Sequence, residues 1–256
     1  MILHGLSAAG QYYENLMRRV RPHVRRVIAP DMPGHGESEM PVEGLDHHTL
    51  GAGLREGLDQ LLTEPAIVFG NSLGAAAAVR YASEKPDRVL GLFLAAPGGA
   101  AMADEELDEF IDAFMLDCHD KALEFVDRLF HRPPTFRHLL AWGVRQQFGR
   151  EGIEQLLRSV TSADLLRPDE LASLRMPVKV LWGEADRILR PRDRRFFEEH
   201  LPPHAEVHAA RVRPRPAHVA PGLAREAPAR LHPRGRTIAR AVLGSALAPT
   251  ARASTS

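Results

Sequence analysis

Short apolar runs rich in β-forming residues alternate along this chain with stretches of helical periodicity, and few architectures satisfy that rhythm. RRVIAPD at 25–31, AIVFG at 66–70 and RVLGLFLAAP at 88–97 each read as a strand, while QYYENLMRRV at 11–20 suits a helix. A second helix is predicted where leucines recur at 50, 54, 58, 61 and 62, because spacings of four and three put them on one face. A third follows Ser72 directly. Strands joined through helices run parallel, so the expected fold class is α/β, with a mostly parallel sheet flanked by helices on both faces.

The rhythm changes after PGGA at 97–100. From Ala101 to Leu171 only helical patterns occur, among them EELDEFIDAFMLDCHDKALEFVDRLF, with a break at HRPPTF. The sheet resumes at MPVKVLWGEAD (176–186), followed by the helical RDRRFFEEHL and a last predicted strand at AEVHAA (205–210). The expected organisation is an α/β core over 1–100 and 172–242, a helical cap over 101–171 and a disordered tail over 243–256. From Ala209 onward the chain is rich in arginine, proline and alanine, with no aromatic residue and one carboxylate, Glu226.

The 33 basic and 33 acidic residues cancel, so no long-range field favours nucleic acid or an anionic membrane, and a small-molecule partner is expected. The single cysteine, Cys118, excludes an internal disulfide and fits a reducing compartment. The opening MILHGLSAAG lacks a signal-peptide pattern, and no apolar segment reaches the ~20 residues that span a bilayer, so a cytoplasmic location is expected. No Cys-x-x-Cys, His-Glu-x-x-His or P-loop is present, which gives no support to a zinc site or to nucleotide binding.

One short stretch points to chemistry. GNSLG at 70–74 is a Gly-x-Ser-x-Gly pattern between a strand and a helix. A sharp turn there strains the serine, projects its hydroxyl from the carboxyl edge of the sheet and sets it beside the amides of a helix N-terminus. The flanking Gly70 and Gly74 remove side chains that would collide. Ser72 is thus either a nucleophile or the small residue of a tight turn.

Three further stretches keep GNSLG company in a fixed order: LHG at 3–5, DMPGHGES at 31–38 and VLWGEADRI at 180–188. Together they resemble the α/β-hydrolase superfamily, in its lid-bearing branch of serine esterases and C–C hydrolases, over roughly residues 2–208. The resemblance implies Ser72 as nucleophile, Asp186 as the acid and His218 as the base. It also implies an oxyanion hole from the backbone N–H groups of Leu6 and Leu73, and no metal or organic cofactor. Glu184 competes with Asp186, and His204, His208 and His232 compete with His218. His4 is expected to brace its loop and His35 to be a turn residue.

The implied reaction is hydrolysis of a carboxylic ester of a small to medium apolar substrate through an acyl-enzyme, with cleavage of a ring-cleavage-type diketone as the alternative. Two departures stand out. One or two strands normally precede the His-Gly pair, so N-terminal strands are expected to be missing, through a late start or a truncation. The segment after Ala209 lacks the glycine that usually precedes the base, which fits a change of reading frame. Both departures leave a non-catalytic relative as a third reading.

Overall fold

The computed structural model describes residues 1–130 and 134–210. Five parallel strands form one sheet in chain order: β1 (Ile2–Leu3), β2 (Ala66–Asn71), β3 (Val89–Ala95), β4 (Val178–Gly183) and β5 (Glu206–Ala210). Between β1 and β2 lie α1 (Glu14–Val20) and α2 (His47–Leu61), and α3 (Leu73–Glu84) joins β2 to β3. Five helices fill the connection from β3 to β4: α4 (Asp104–Asp112), α5 (His119–Leu129), α6 (Arg137–Phe148), α7 (Glu151–Ser159) and α8 (Pro168–Ala172). Among the described residues the last helix, α9 (Pro191–His200), precedes β5.

Successive strand side chains point to opposite faces, and both faces are apolar, as a sheet covered on both sides requires. Val68, Leu92, Leu94, Val180 and Trp182 join one buried cluster with Leu54 and Leu58 of α2, Ala78 and Val79 of α3 and Phe197 of α9. Ile2, Phe69, Phe93, Ala95 and Leu181 face the other way, onto Leu16 and Val20 of α1. The predicted leucine stripe is the buried face of α2: Leu50, Leu54 and Leu58 are all buried. A reciprocal cap starts that helix, with Asp46 accepting from Thr49 N–H at 2.7 Å and Thr49 Oγ1 accepting from Asp46 N–H at 2.9 Å.

One sequence expectation is corrected. Residues 26–30 form no strand: Ile2 N–H donates to Ile28 O at 2.8 Å, and no ladder develops from that bond. Pro30 has no N–H to give, and β1 offers only two residues as neighbours. The helical run through 105–130 breaks after Asp112, where the N–H groups of Phe114 and Met115 turn back to Ile111 and Asp112, and α5 restarts after an extended Cys118.

The chain leaves the sheet at Ala100 and returns beside the same point, where Ala100 bridges Leu166 and Leu166 N–H donates to Gly99 O at 2.8 Å. Beyond that bridge, Arg80 of α3 holds Glu170 at 3.1 Å and the carbonyls of Asp164 and Leu165. Between the two ends, Phe114 packs on Phe110, Phe125 and Phe148 with ring centroids 4.9, 5.4 and 6.0 Å apart. No helix among the described residues is long and apolar enough to cross a membrane. His218, His232, Glu226 and the expected tail lie outside the described residues.

Candidate active site

Parallel pairing brings the ends of all five strands to one edge. Asn71, Ala95, Leu181 and His208 lie in one register row, so the residues just past β1, β2, β3 and β4 are neighbours across that edge. Ser72, directly after β2, has φ 50° and ψ −116°, in the left-handed half of backbone space. The two elbow glycines explain how the turn closes. A Cβ on Gly70 would stand 2.5 Å from Ala75 Cα, and one on Gly74 2.4 Å from the carbonyl oxygens of Leu3 and His4.

Ser72 occupies the N-cap of α3, where a serine hydroxyl ordinarily accepts a bond from the first turn. Its hydroxyl makes no capping bond. Its backbone does the structural work instead: the N–H donates to Ala95 O at 3.1 Å, and the carbonyl accepts from Ala75, Ala76 and Gly98. The side chain is left for another use.

Strain is concentrated on this edge. Among the described non-glycine residues, positive φ occurs at Ser7 (56°), Ser72 (50°) and Ala96 (43°), which follow β1, β2 and β3. Each such conformation costs on the order of 1–3 kcal/mol and persists only where its surroundings enforce it. Sequence reading reached Ser72 but not the other two. Gly98 lies against the elbow, and a Cβ there would be 3.7 Å from Ser72 Oγ.

Leu73 directly follows the serine, and Leu6 follows Gly5, where a Cβ would be 3.4 Å from Ser72 Cβ. Leu73 opens α3, where an N–H has no intrahelical acceptor. Leu6 follows His4 and Gly5 on the loop after β1. His4 is fully buried, its Nδ1 paired with Gly5 O at 2.8 Å and its Nε2 accepting from Met32 N–H at 2.9 Å. Burial holds its pKa below the ordinary 6.5, so the neutral ring bridges two loops as a brace. The DMPGHGES loop is bracing of the same kind. Asp31 accepts from Gly10 N–H at 2.6 Å and Glu37 N–H at 2.9 Å, and Ser38 Oγ donates to Asp31 O at 2.8 Å. Gly36 packs over that carboxylate, where a Cβ would be 2.2 Å from Asp31 Oδ2. His35 is buried, its Nδ1 paired with Pro33 O at 2.9 Å.

Past β4, Asp186 is half-buried and its Oδ1 accepts from the N–H groups of Ile188 and Leu189 at 2.9 and 3.0 Å, which fixes the carboxylate. Glu184 is exposed. Two of the four histidine candidates have other partners. His204 precedes β5, at the amino edge, with Nε2 3.0 Å from Met176 O. His208 lies within β5, in a ladder where Glu206 contacts it at 3.0 Å and Lys179 at 2.6 Å. The other two, His218 and His232, lie outside the described residues, and His218 follows the carboxyl end of β5 by eight residues.

Two residues of the edge escaped sequence reading. Tyr13 OH donates to Asn71 Oδ1 at 3.0 Å, and Asn71 Nδ2 donates to Ala95 O at 3.1 Å. Asn71 is the unassigned residue inside Gly-x-Ser-x-Gly, and nothing in its spacing to Tyr13 forecasts the contact. Among the described residues no group of three or more histidine, cysteine or carboxylate side chains converges to hold a metal ion.

Comparison with known proteins agrees with this fold. The chain is 28% identical over 213 residues to a pimeloyl-[acyl-carrier protein] methyl ester esterase of Neisseria meningitidis, covering 78% of this chain and 79% of the relative. It is 26% identical over 204 residues to a 2-hydroxy-6-oxo-6-phenylhexa-2,4-dienoate hydrolase of Comamonas testosteroni, covering 74% and 71%. A serine hydrolase from the polyaromatic hydrocarbon-degrading bacterium Cycloclasticus zankles has the same fold, with a TM-score of 0.67 at 16% identity over 82% of this chain and 80% of that one. The model of the alpha/beta hydrolase family matches residues 1–236, and the chain is an enzyme of that family.

Proposed function

We propose that this enzyme hydrolyses carboxylic esters of small to medium apolar substrates through an acyl-enzyme. The observation that carries the reading is the strained Ser72 at the N-cap of α3, whose hydroxyl takes no part in capping. In this reading Ser72 Oγ attacks the ester carbonyl carbon while His218 takes its proton. The Leu6 and Leu73 N–H groups receive the negative charge that develops on the carbonyl oxygen. The C–O bond to the alcohol then breaks, and the alcohol leaves with the proton from His218. Water, deprotonated by the same imidazole, attacks the acyl carbon and releases the acid and the free serine. Asp186 orients His218 and stabilises its charged form.

The ester preference rests on the kinship with the methyl ester esterase and on the leucine, phenylalanine and methionine that residues 101–171 supply to a cap over the site. The kinship with the dienoate hydrolase favours a second reading, C–C cleavage of a diketone-type substrate by the same residues. Turnover of such a compound without turnover of esters would select it.

Intact mass after fluorophosphonate treatment tests serine activation without a chosen substrate. A single adduct is expected on the wild type and none on Ser72→Ala, whose ester hydrolysis falls at least ~10³-fold. No adduct on folded wild-type protein would overturn the reading.

A further inference from the structure

The 3-10 turn Gly10–Tyr13 and the elbow are far apart in sequence, yet one side chain joins them. Tyr13 packs edge-on against Phe69 of β2, ring centroids 5.8 Å apart, which turns its hydroxyl toward the carboxyl edge. There the hydroxyl donates to Asn71 Oδ1 at 3.0 Å, with the backbone N–H of Gly5 acting on the same oxygen electrostatically. Gly5 immediately precedes Leu6, and Asn71 immediately precedes Ser72. Asn71 is anchored in turn, because Ala95 O accepts both its Nδ2 at 3.1 Å and the Ser72 N–H at 3.1 Å.

Gly5 has no side chain to keep the two segments apart: a Cβ there would stand 3.1 Å from Asn71 Oδ1 and 3.4 Å from Ser72 Cβ. The segment that carries Leu6 thus rests directly on the nucleophile's turn, with the Tyr13 hydroxyl as its polar fastener. Burial pushes that hydroxyl up to about 12, so it stays protonated and keeps donating to Asn71 throughout the neutral range.

We propose that Tyr13 is a positioning residue for the oxyanion hole, holding Gly5 against Asn71 so that the Leu6 N–H faces the oxygen that becomes charged during attack by Ser72. The inference rests on the serine-hydrolase reading above. A donor displaced by a fraction of an ångström still lets a reagent bind but stabilises the charged oxygen less, so the effect falls on the chemical step.

The test is fluorophosphonate inactivation kinetics on the full chain, separating the maximal inactivation rate from the half-saturating reagent concentration. Tyr13→Phe keeps the ring packing and removes the hydroxyl. It is expected to lower the maximal rate ~10-fold and to leave the half-saturating concentration within about twofold. Asn71→Ala removes the partner from the other side and leaves Tyr13 intact, so it supplies the same readout if the tyrosine variant does not fold. Adding Tyr13→Phe to Asn71→Ala should slow the reaction no more than about twofold further, because one link is broken only once.

A maximal rate at the wild-type value in Tyr13→Phe, or penalties that multiply in the double variant, would overturn the inference and leave the serine-hydrolase reading standing. Failure of the wild type to react would overturn both.

Discussion

At the carboxyl edge of the sheet, each chain segment is pinned by a short polar link: His4 to Met32, Asp31 to Gly10 and Glu37, Tyr13 to Asn71, and Asn71 to Ala95. Across the helices from Ala101 to Leu165 the organisation is different. There four phenylalanines form a local apolar centre. The part-buried polar links to the core gather at the C-terminal end, from Leu45 N–H to Gln155 Oε1 at 3.2 Å, His47 N–H to Ser159 Oγ at 2.9 Å and Arg80 to the carbonyls of Asp164 and Leu165. Helices α4 and α6 keep surface links such as Arg190 to Glu109 at 3.0 Å and Gln147 to Tyr12 at 2.8 Å. Directional bonds fix positions to a fraction of an ångström, whereas apolar packing fixes volume and tolerates small shifts. The edge is suited to holding groups in fixed positions, and the insert to absorbing small shifts.

If that contrast is real, damage to the insert's centre should stay in the insert. Phe114→Ala removes a ring that is only 9% exposed and touches three other rings, and a loss of ~3–5 kcal/mol is expected. Hydrogen exchange should quicken in α4–α7 and stay slow in β2 and β3, while Ser72 still reacts with a small fluorophosphonate. Equal loss of protection in the strands would break the comparison.

A second test addresses the edge. Burial holds the pKa of both His4 and His35 below 6.5 in the folded state. As pH falls through 6.5 the unfolded chain takes up protons at these sites and the folded chain does not, so stability drops; above that pH both states are neutral and the contribution is constant. The slope is bounded by ~1.4 kcal/mol per pH unit for each histidine. Urea midpoints measured from pH 7.5 to 5.5 should fall, and His35→Gln should make the fall shallower. A midpoint independent of pH would show that the braces can be charged without cost.

The smallest effect belongs to the surface links. Glu109→Gln breaks an ion pair whose side chains are 42% and 68% exposed, and the expected change is below ~0.5 kcal/mol in a urea melt. A larger loss would mean that the insert depends on its charged contacts with the Arg190 loop, which would blur the contrast.

Much of this organisation is legible in the sequence because it rests on local pattern. Val68 and Phe69, like Leu92 and Phe93, go to opposite faces by simple alternation, and the GNSLG turn announces its geometry through two glycines that the packing cannot do without. The braces His4 and Asp31 sit inside recognisable motifs. What escaped depends on contacts between distant segments. RRVIAPD has the composition of a strand, but a ladder needs a neighbour with several free donors, and β1 supplies only Ile2 and Leu3. Tyr13 and Asn71 are 58 positions apart, and no periodicity links them. Ser7 and Ala96 carry ordinary side chains, so their strain is invisible until the backbone is seen.

The bridge between Ala100 and Leu166 bears on how the molecule assembles. Strands β3 and β4 are neighbours in the sheet, yet the whole insert lies between them in the chain. Pairing them through an unfolded connection of that length carries a loop-closure penalty that grows with the logarithm of the loop. Once the insert has collapsed on its phenylalanines and its two ends have met, β4 is tethered to β3 only through residues 96–100 and the short α8 segment 167–177. The insert then acts as an internal splint, and the half of the sheet that carries Asp186 is expected to assemble after the insert has folded.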